Sequence, residues 1–74
     1  MIDKAFGRTL KNLRTAKGLS QEEFAFQVDL HRTYISQLER GLKSPSLRTM
    51  EKLSKVLAIT LPMLLEEVER ELNS

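Results

Sequence analysis

Between Val28 and Gly41 the chain reads VDLHRTYISQLERG, and its polar residues are of kinds that recognise hydrogen-bonding surfaces. An arginine can bond bidentately to O6 and N7 of guanine, a glutamine to N6 and N7 of adenine, and hydroxyls reach bases or phosphates. Arg32, Thr33, Ser36, Gln37 and Arg40 bring all three chemistries into one short segment. An ordinary solvated helix face is a mixture of Glu and Lys, so this set reads as a recognition surface. A polar face with no ligand at all fits the same composition.

Wound as a helix at about 100° per residue, the segment turns Ile35 and Leu38 to one side as its only apolar anchor. Thr33, Gln37 and Arg40 then point away from that anchor, Ser36 lies beside them, and Arg32 and Tyr34 take opposite flanks. Glu39 falls close to the buried pair, where a charge needs a partner. Arg14, on the first helical pattern, is the candidate.

Other elements must hold this helix in place. Ile2, Phe6, Leu10 and Leu13 draw an apolar stripe down a first helix that Gly18 ends. Gly7 inside it is either a loss of helix propensity or a place of close contact. The sequence SQEE then opens a second helix: Ser20 can accept from the amide of Glu23, whose carboxylate can reach back to the Ser20 amide. Phe24, Ala25 and Val28 form its inner face and Phe26 points the opposite way. About three residues lead to the third helix, which begins near His31 and closes at Arg40 before Gly41.

Ser44, Pro45 and Ser46 break the chain again. Leu47, Met50, Leu53 and Leu57 define a fourth helix, and Thr60 with Pro62 in the first turn starts a fifth. The basic run Lys4, Arg8, Lys11, Arg14 and Lys17 reads as a solvated face. The predicted architecture is all-α, five short helices with a tight helix-turn-helix formed by helices two and three.

The 74 residues are read as one domain, residues 1–74, near the lower size at which a core holds without disulfides or metal. There is no cysteine and one histidine, His31, so no zinc or other metal cluster and no cofactor is implied. The N-terminus lacks the apolar run of a secretory signal, and nothing approaches the ~20 apolar residues of a membrane span. A soluble, cytoplasmic protein is expected. Residues 1–48 carry nine Lys or Arg against five Asp or Glu, and residues 49–74 carry three against five. That split turns the first part toward an acidic partner.

Phosphate chemistry frames the third helix on both sides. Gln21 stands in the first turn of helix two, where free amides and the helix dipole favour an anion, and Arg40, Lys43 and Ser44 follow the recognition segment. Taken together, LSQEEFAFQVDLHRTYISQLERGLKSPSLRTMEKLSKVLAI resembles the lambda-repressor-like helix-turn-helix family, also called the XRE family, from about Phe6 to Leu65. The S-Q-E-E start, Ala25, the YIS and ERG steps and the PS before helix four correspond in order. Within that family LHRTYISQLERG looks most like the controller proteins of restriction-modification systems, with phage-type repressors and antitoxins sharing most of the motif.

The resemblance implies a homodimeric, sequence-specific regulator of transcription that binds double-stranded DNA. It gives Arg32, Thr33, Ser36 and Gln37 to base edges, and Gln21, Tyr34, Arg40, Lys43 and Ser44 mainly to phosphates. It also implies an ion pair of Arg14 with Glu39 behind the recognition helix. Contact with RNA polymerase is compatible with such a role. The family usually has Gly at the turn where this chain has Asp29; Asp tolerates the left-handed conformation better than most residues. His31 stands where the family often has a small N-cap residue, so it is expected to cap poorly, whether it touches DNA or faces solvent.

In helix five, Leu61, Leu65, Val68 and Leu72 recur in a coiled-coil-like seam, read as a two-fold dimer interface that demands a palindromic operator, with Met63 and Leu64 left for the domain's own core. The alternative is that this helix only closes the monomer core. An enzyme lacks the inventory: no Cys, one His, no phosphate-binding Gly loop, and Glu66, Glu67, Glu69 and Glu71 spread as solvating charge. A stronger rival is an antitoxin or protein-binding module that uses the seam of helix five.

Overall fold

The computed structural model describes all 74 residues and contains five helices and no strand. They are α1 (Ile2–Ala16), α2 (Gln21–Val28), α3 (Arg32–Glu39), α4 (Leu47–Leu57) and α5 (Leu61–Leu72). All five pack around one core: Ala5, Phe6 and Leu10 of α1, Phe24, Ala25 and Val28 of α2, Ile35 and Leu38 of α3, Leu53 and Leu57 of α4, and Leu64 and Val68 of α5. Every helix contributes an i, i+3 or i, i+4 pair, the spacing that gives one apolar stripe.

Local chemistry sets the boundaries. Ser20 accepts from the Glu23 amide at 3.0 Å while the Ser20 amide donates to the Glu23 carboxylate at 2.8 Å, a complete capping box. Ser46 accepts from the Thr49 amide at 3.1 Å and Thr60 from the Met63 amide at 3.2 Å, so α4 and α5 begin the same way. His31 is a better cap than its type suggested: its Nδ1 accepts from the Thr33 amide at 3.1 Å. A neutral imidazole with the proton on Nε2 has the free lone pair that this bond requires.

Asp29 closes α2 in the left-handed region at φ 62° and ψ 47°, and the Leu30 amide reaches the Ala25 carbonyl at 3.0 Å. The turn between α2 and α3 thus has the geometry that glycine favours, made by a residue that tolerates it. Ala58 does the same after α4, at φ 58°. Nothing in the Ala58 side chain marks it for that conformation, and sequence reasoning missed it.

Several apolar residues lie elsewhere than the stripes predicted. Leu47, expected inward, is 73% exposed, because it occupies the first position of α4 and the packed stripe starts only at Met50. Ile2 is 58% exposed for the same reason at the start of α1. In α5 the expected division is shifted: Val68, placed in the dimer seam, is buried in the core, and Met63, placed in the core, is exposed. Leu64 and Val68 are four apart and lead inward together, which carries Leu65 and Leu72 to the flank and Met63 well outside.

The capping box makes the start of α2 sensitive to acid. Its hydrogen bonds from the Ser20 backbone and side chain hold the Glu23 carboxyl below its ordinary value of 4.5. A carboxyl lowered by folding stabilises the native state above its unfolded pKa, and that contribution is lost as pH falls through the lowered value. Thermal midpoints of the wild type should therefore fall on acidification below about pH 4.5, and Glu23→Gln should flatten that part of the profile. Ser20→Ala should cost about 1 kcal/mol in urea unfolding at neutral pH.

Candidate nucleic-acid interface

The helix α3 is only eight residues long, about 12 Å, and too short to be stable alone. Three contacts on its inner side position it. Ile35 and Leu38 are fully buried. Glu39, the last residue, turns back into the protein, where its side chain is 3% exposed.

That carboxylate is the junction of three helices. Arg14 of α1 donates to it twice, from Nε to Oε2 at 2.6 Å and from Nη2 to Oε1 at 3.0 Å. Gln21 of α2 donates from Nε2 to Oε1 at 3.0 Å. Arg14 is itself held by the Leu19 carbonyl, which accepts from Nη1 at 2.7 Å. The Arg14 side chain is 9% exposed, so this is a buried pair, and no buried polar side-chain atom is left without a partner.

With its inner side fixed, α3 presents Arg32 and Thr33 exposed and Ser36 and Gln37 half-buried on the outer side. Arg40, Lys43 and Ser44 follow, all exposed, on the chain leaving the helix. None of these side chains makes a hydrogen bond or ion pair within the protein. Tyr34 is different: it is half-buried, packed against the core on the flank of α3. The outer face is therefore a row of unpaired donors and acceptors on a rigid support.

Beside it, Arg14, Ser20, Gln21, Glu22 and Arg32 line an open polar cleft where the N-terminus of α2 meets the start of α3. Arg32 and the helix dipole favour an anion there, while Glu22 opposes it. The sequence placed Gln21 here for its position alone. The structure adds that its carboxamide is already bonded to Glu39, eighteen residues away in sequence, which no local pattern signals.

The predicted seam of α5 is divided. Leu65 and Leu72 are 46% and 43% exposed, Leu61 is half-buried, and Val68 is spent in the core. With Ile2 of α1 and Pro62, the exposed members border a shallow apolar groove whose rim carries Glu66 and Glu69. A separate exposed apolar residue, Phe26, is 87% exposed on the outer side of α2.

A family model described as helix-turn-helix, HTH_3, matches residues 10–64. The control protein C.MunI of a Mycoplasma species is 51% identical over 67 residues, covering 89% of this chain and 90% of that protein. Among solved structures, the restriction-modification controller protein C.AhdI of Aeromonas hydrophila superposes with a TM-score of 0.80 at 45% identity, over 84% of this chain and 94% of its own. The controller protein C.Esp1396I, solved as a tetramer in complex with its natural 35-base-pair operator, superposes with a TM-score of 0.89 at 27% identity, over 100% of this chain and 97% of its own.

Breaking the three-helix junction should be costly. Removing one member of a buried pair strands the other, typically at about 3–5 kcal/mol. Arg14→Ala and Glu39→Ala should each lower urea-unfolding stability by that order, and the double substitution by clearly less than the sum, giving a large coupling energy in a double-mutant cycle. Additive losses would show that the pair is not energetically coupled.

Proposed function

This chain belongs to the HTH_3 helix-turn-helix family, and from that premise we propose that it regulates transcription by reading double-stranded DNA with α3 in the major groove. Among the relatives it matches along most of their length are the control protein C.MunI and the restriction-modification controller protein C.AhdI, and theirs is the role proposed for it. The observation that carries this reading is the outer face of α3. Four side chains able to read base edges stand unpaired there, on a helix whose rotation is fixed by Glu39.

In this reading Arg32, Thr33, Ser36 and Gln37 meet the bases, and Arg40, Lys43, Ser44, Tyr34 and Gln21 meet the phosphates. Gln21 gives one N–H to Glu39, so its second N–H is the one available to a phosphate oxygen. A protein-binding module or antitoxin that works through α5 alone has no use for the α3 face.

The apolar groove of α5 is the proposed homodimer interface, with Ile2, Pro62, Leu65 and Leu72 around a floor that the buried Val68 helps to form, and with Leu61 at the start of the same helix. A two-fold dimer would set the recognition helices about one DNA turn apart, ~34 Å, and select a palindromic operator. The protein would work in the cytoplasm, where that DNA is. When it is bound beside a promoter, contact with RNA polymerase would fall to surface left free by DNA and dimer, and the exposed Phe26, one helical turn after Glu22 and Glu23, is such a place.

Two titrations test this. In fluorescence anisotropy against the region upstream of its own gene, Arg32→Ala should cost about 1–3 kcal/mol and relax specificity at one position. Lys43→Ala should weaken all sequences alike and reduce the slope against log salt by about one. Equal, weak binding of specific and random DNA would remove the proposal. Leu65→Glu should sediment as a folded monomer in ultracentrifugation; a variant that stayed dimeric would exclude the α5 interface.

A further inference from the structure

Two glycines bring backbone against backbone where α1 crosses the end of α3. Gly7 is buried, and a Cβ on it would lie 2.5 Å from the carbonyl oxygens of both Leu38 and Glu39 and 2.8 Å from the Glu39 carbonyl carbon. Gly41, at φ +74°, faces the preceding turn of α1: a Cβ there would meet Lys4 Cγ at 2.7 Å and Lys4 Cα at 3.0 Å. Lys4 and Gly7 are three residues apart and share a face. Backbone atoms have no rotamer by which to yield, so a methyl group at Gly7 requires the helices to part by about 0.9 Å before the contact is ordinary.

On its other side α1 is tied to α5. The buried Thr9 hydroxyl donates to the Glu67 carbonyl at 3.3 Å, and Arg8 lies 3.3 Å from Glu71. The helix α1 is therefore the spacer between the proposed dimer surface and the reading helix, and Gly7 sets the thickness of that spacer.

We infer that Gly7 is a specificity-determining position: its contact with the α3 carbonyls fixes how far the reading helix stands from α5, and so which separation of DNA half-sites the homodimer accepts. This rests on the DNA-reading dimer proposed above. The two-fold axis applies any displacement at Gly7 twice, which brings it to about half the ~3.4 Å rise of one base pair. A shift of that size spoils the match to the preferred spacing without creating a clean match to the next.

The experiment uses a duplex selected by the wild-type protein from a random-sequence pool. It is resynthesised with one base pair added or removed between half-sites, and separately as a single half-site. Wild type, Gly7→Ala and Gly41→Asn are titrated against each. Asn accepts the left-handed backbone of Gly41 but still presses on Lys4.

Wild type should prefer its own spacing by about tenfold or more; Gly7→Ala should bind the half-site within about threefold of wild type yet lose most of that preference. A variant with a lower thermal midpoint and an unchanged order and ratio of spacings would reduce Gly7 to a packing residue and overturn the inference. If Gly7→Ala does not fold, an unchanged spacing preference in Gly41→Asn overturns it equally. If the wild type selects no paired half-sites, the dimer reading itself falls, and the inference falls with it.

Discussion

The Glu39 carboxylate governs the arrangement of the N-terminal three helices. A charge almost wholly removed from water is tolerated only when its hydrogen-bonding capacity is filled, and here α1 and α2 fill it through Arg14 and Gln21. Apolar packing by Ile35 and Leu38 would hold α3 against the core but would resist its rotation only weakly. Hydrogen bonds to a carboxylate at the end of the helix are directional. They fix the angle about the helix axis, and a change of about 100° would exchange the entire outward set for its neighbours.

That constraint explains why so polar a helix can also be so short. Eight residues without internal support cannot stay helical, so α3 depends on a cap at one end and a buried anchor at the other. His31 satisfies the Thr33 amide at the start, and Glu39 locks the finish. Between them only Ile35 and Leu38 are fully committed to the interior. The outward positions Arg32, Thr33, Ser36 and Gln37 make no side-chain hydrogen bond within the protein, so their side chains can change without disturbing the support, which suits a scaffold that presents changeable side chains in a fixed frame.

The sequence made much of this legible because the governing rules are local. The number of helices, the capping box at Ser20 and the rotation of α3 follow from spacing and residue type, while the left-handed Asp29 follows from the resemblance to a family that usually has Gly at that turn. The angle that puts Glu39 beside Ile35 shows only that its charge needs a partner; that the partner is Arg14 is what the family resemblance implies. What local rules miss are relations between distant segments. Gln21 on Glu39 and Gly7 on the carbonyls of Leu38 and Glu39 are meetings across the fold. The division of α5 failed for a related reason: its apolar arc is wider than one seam, and only the position of α1 and the core decides that Val68 goes inward while Met63 does not. His31 caps through the acceptor its ring nitrogen offers, a property that side-chain size does not signal.

Charge bears on the two proposed surfaces in opposite ways. The α3 side and the chain leaving it offer Arg32, Arg40 and Lys43 to a polyanion, so added salt weakens binding by restoring competition from counterions. Around the apolar groove of α5 the rim is acidic, with Glu66 and Glu69. Two copies joined there bring like charges toward each other, and salt screens that repulsion while leaving the apolar contact intact. Salt therefore strengthens assembly as it weakens DNA attraction. The measured slope against log salt reflects phosphate contacts alone only at protein concentrations where the dimer is saturated throughout; below that it is the difference of two opposing effects, and too few phosphate contacts would be inferred from it.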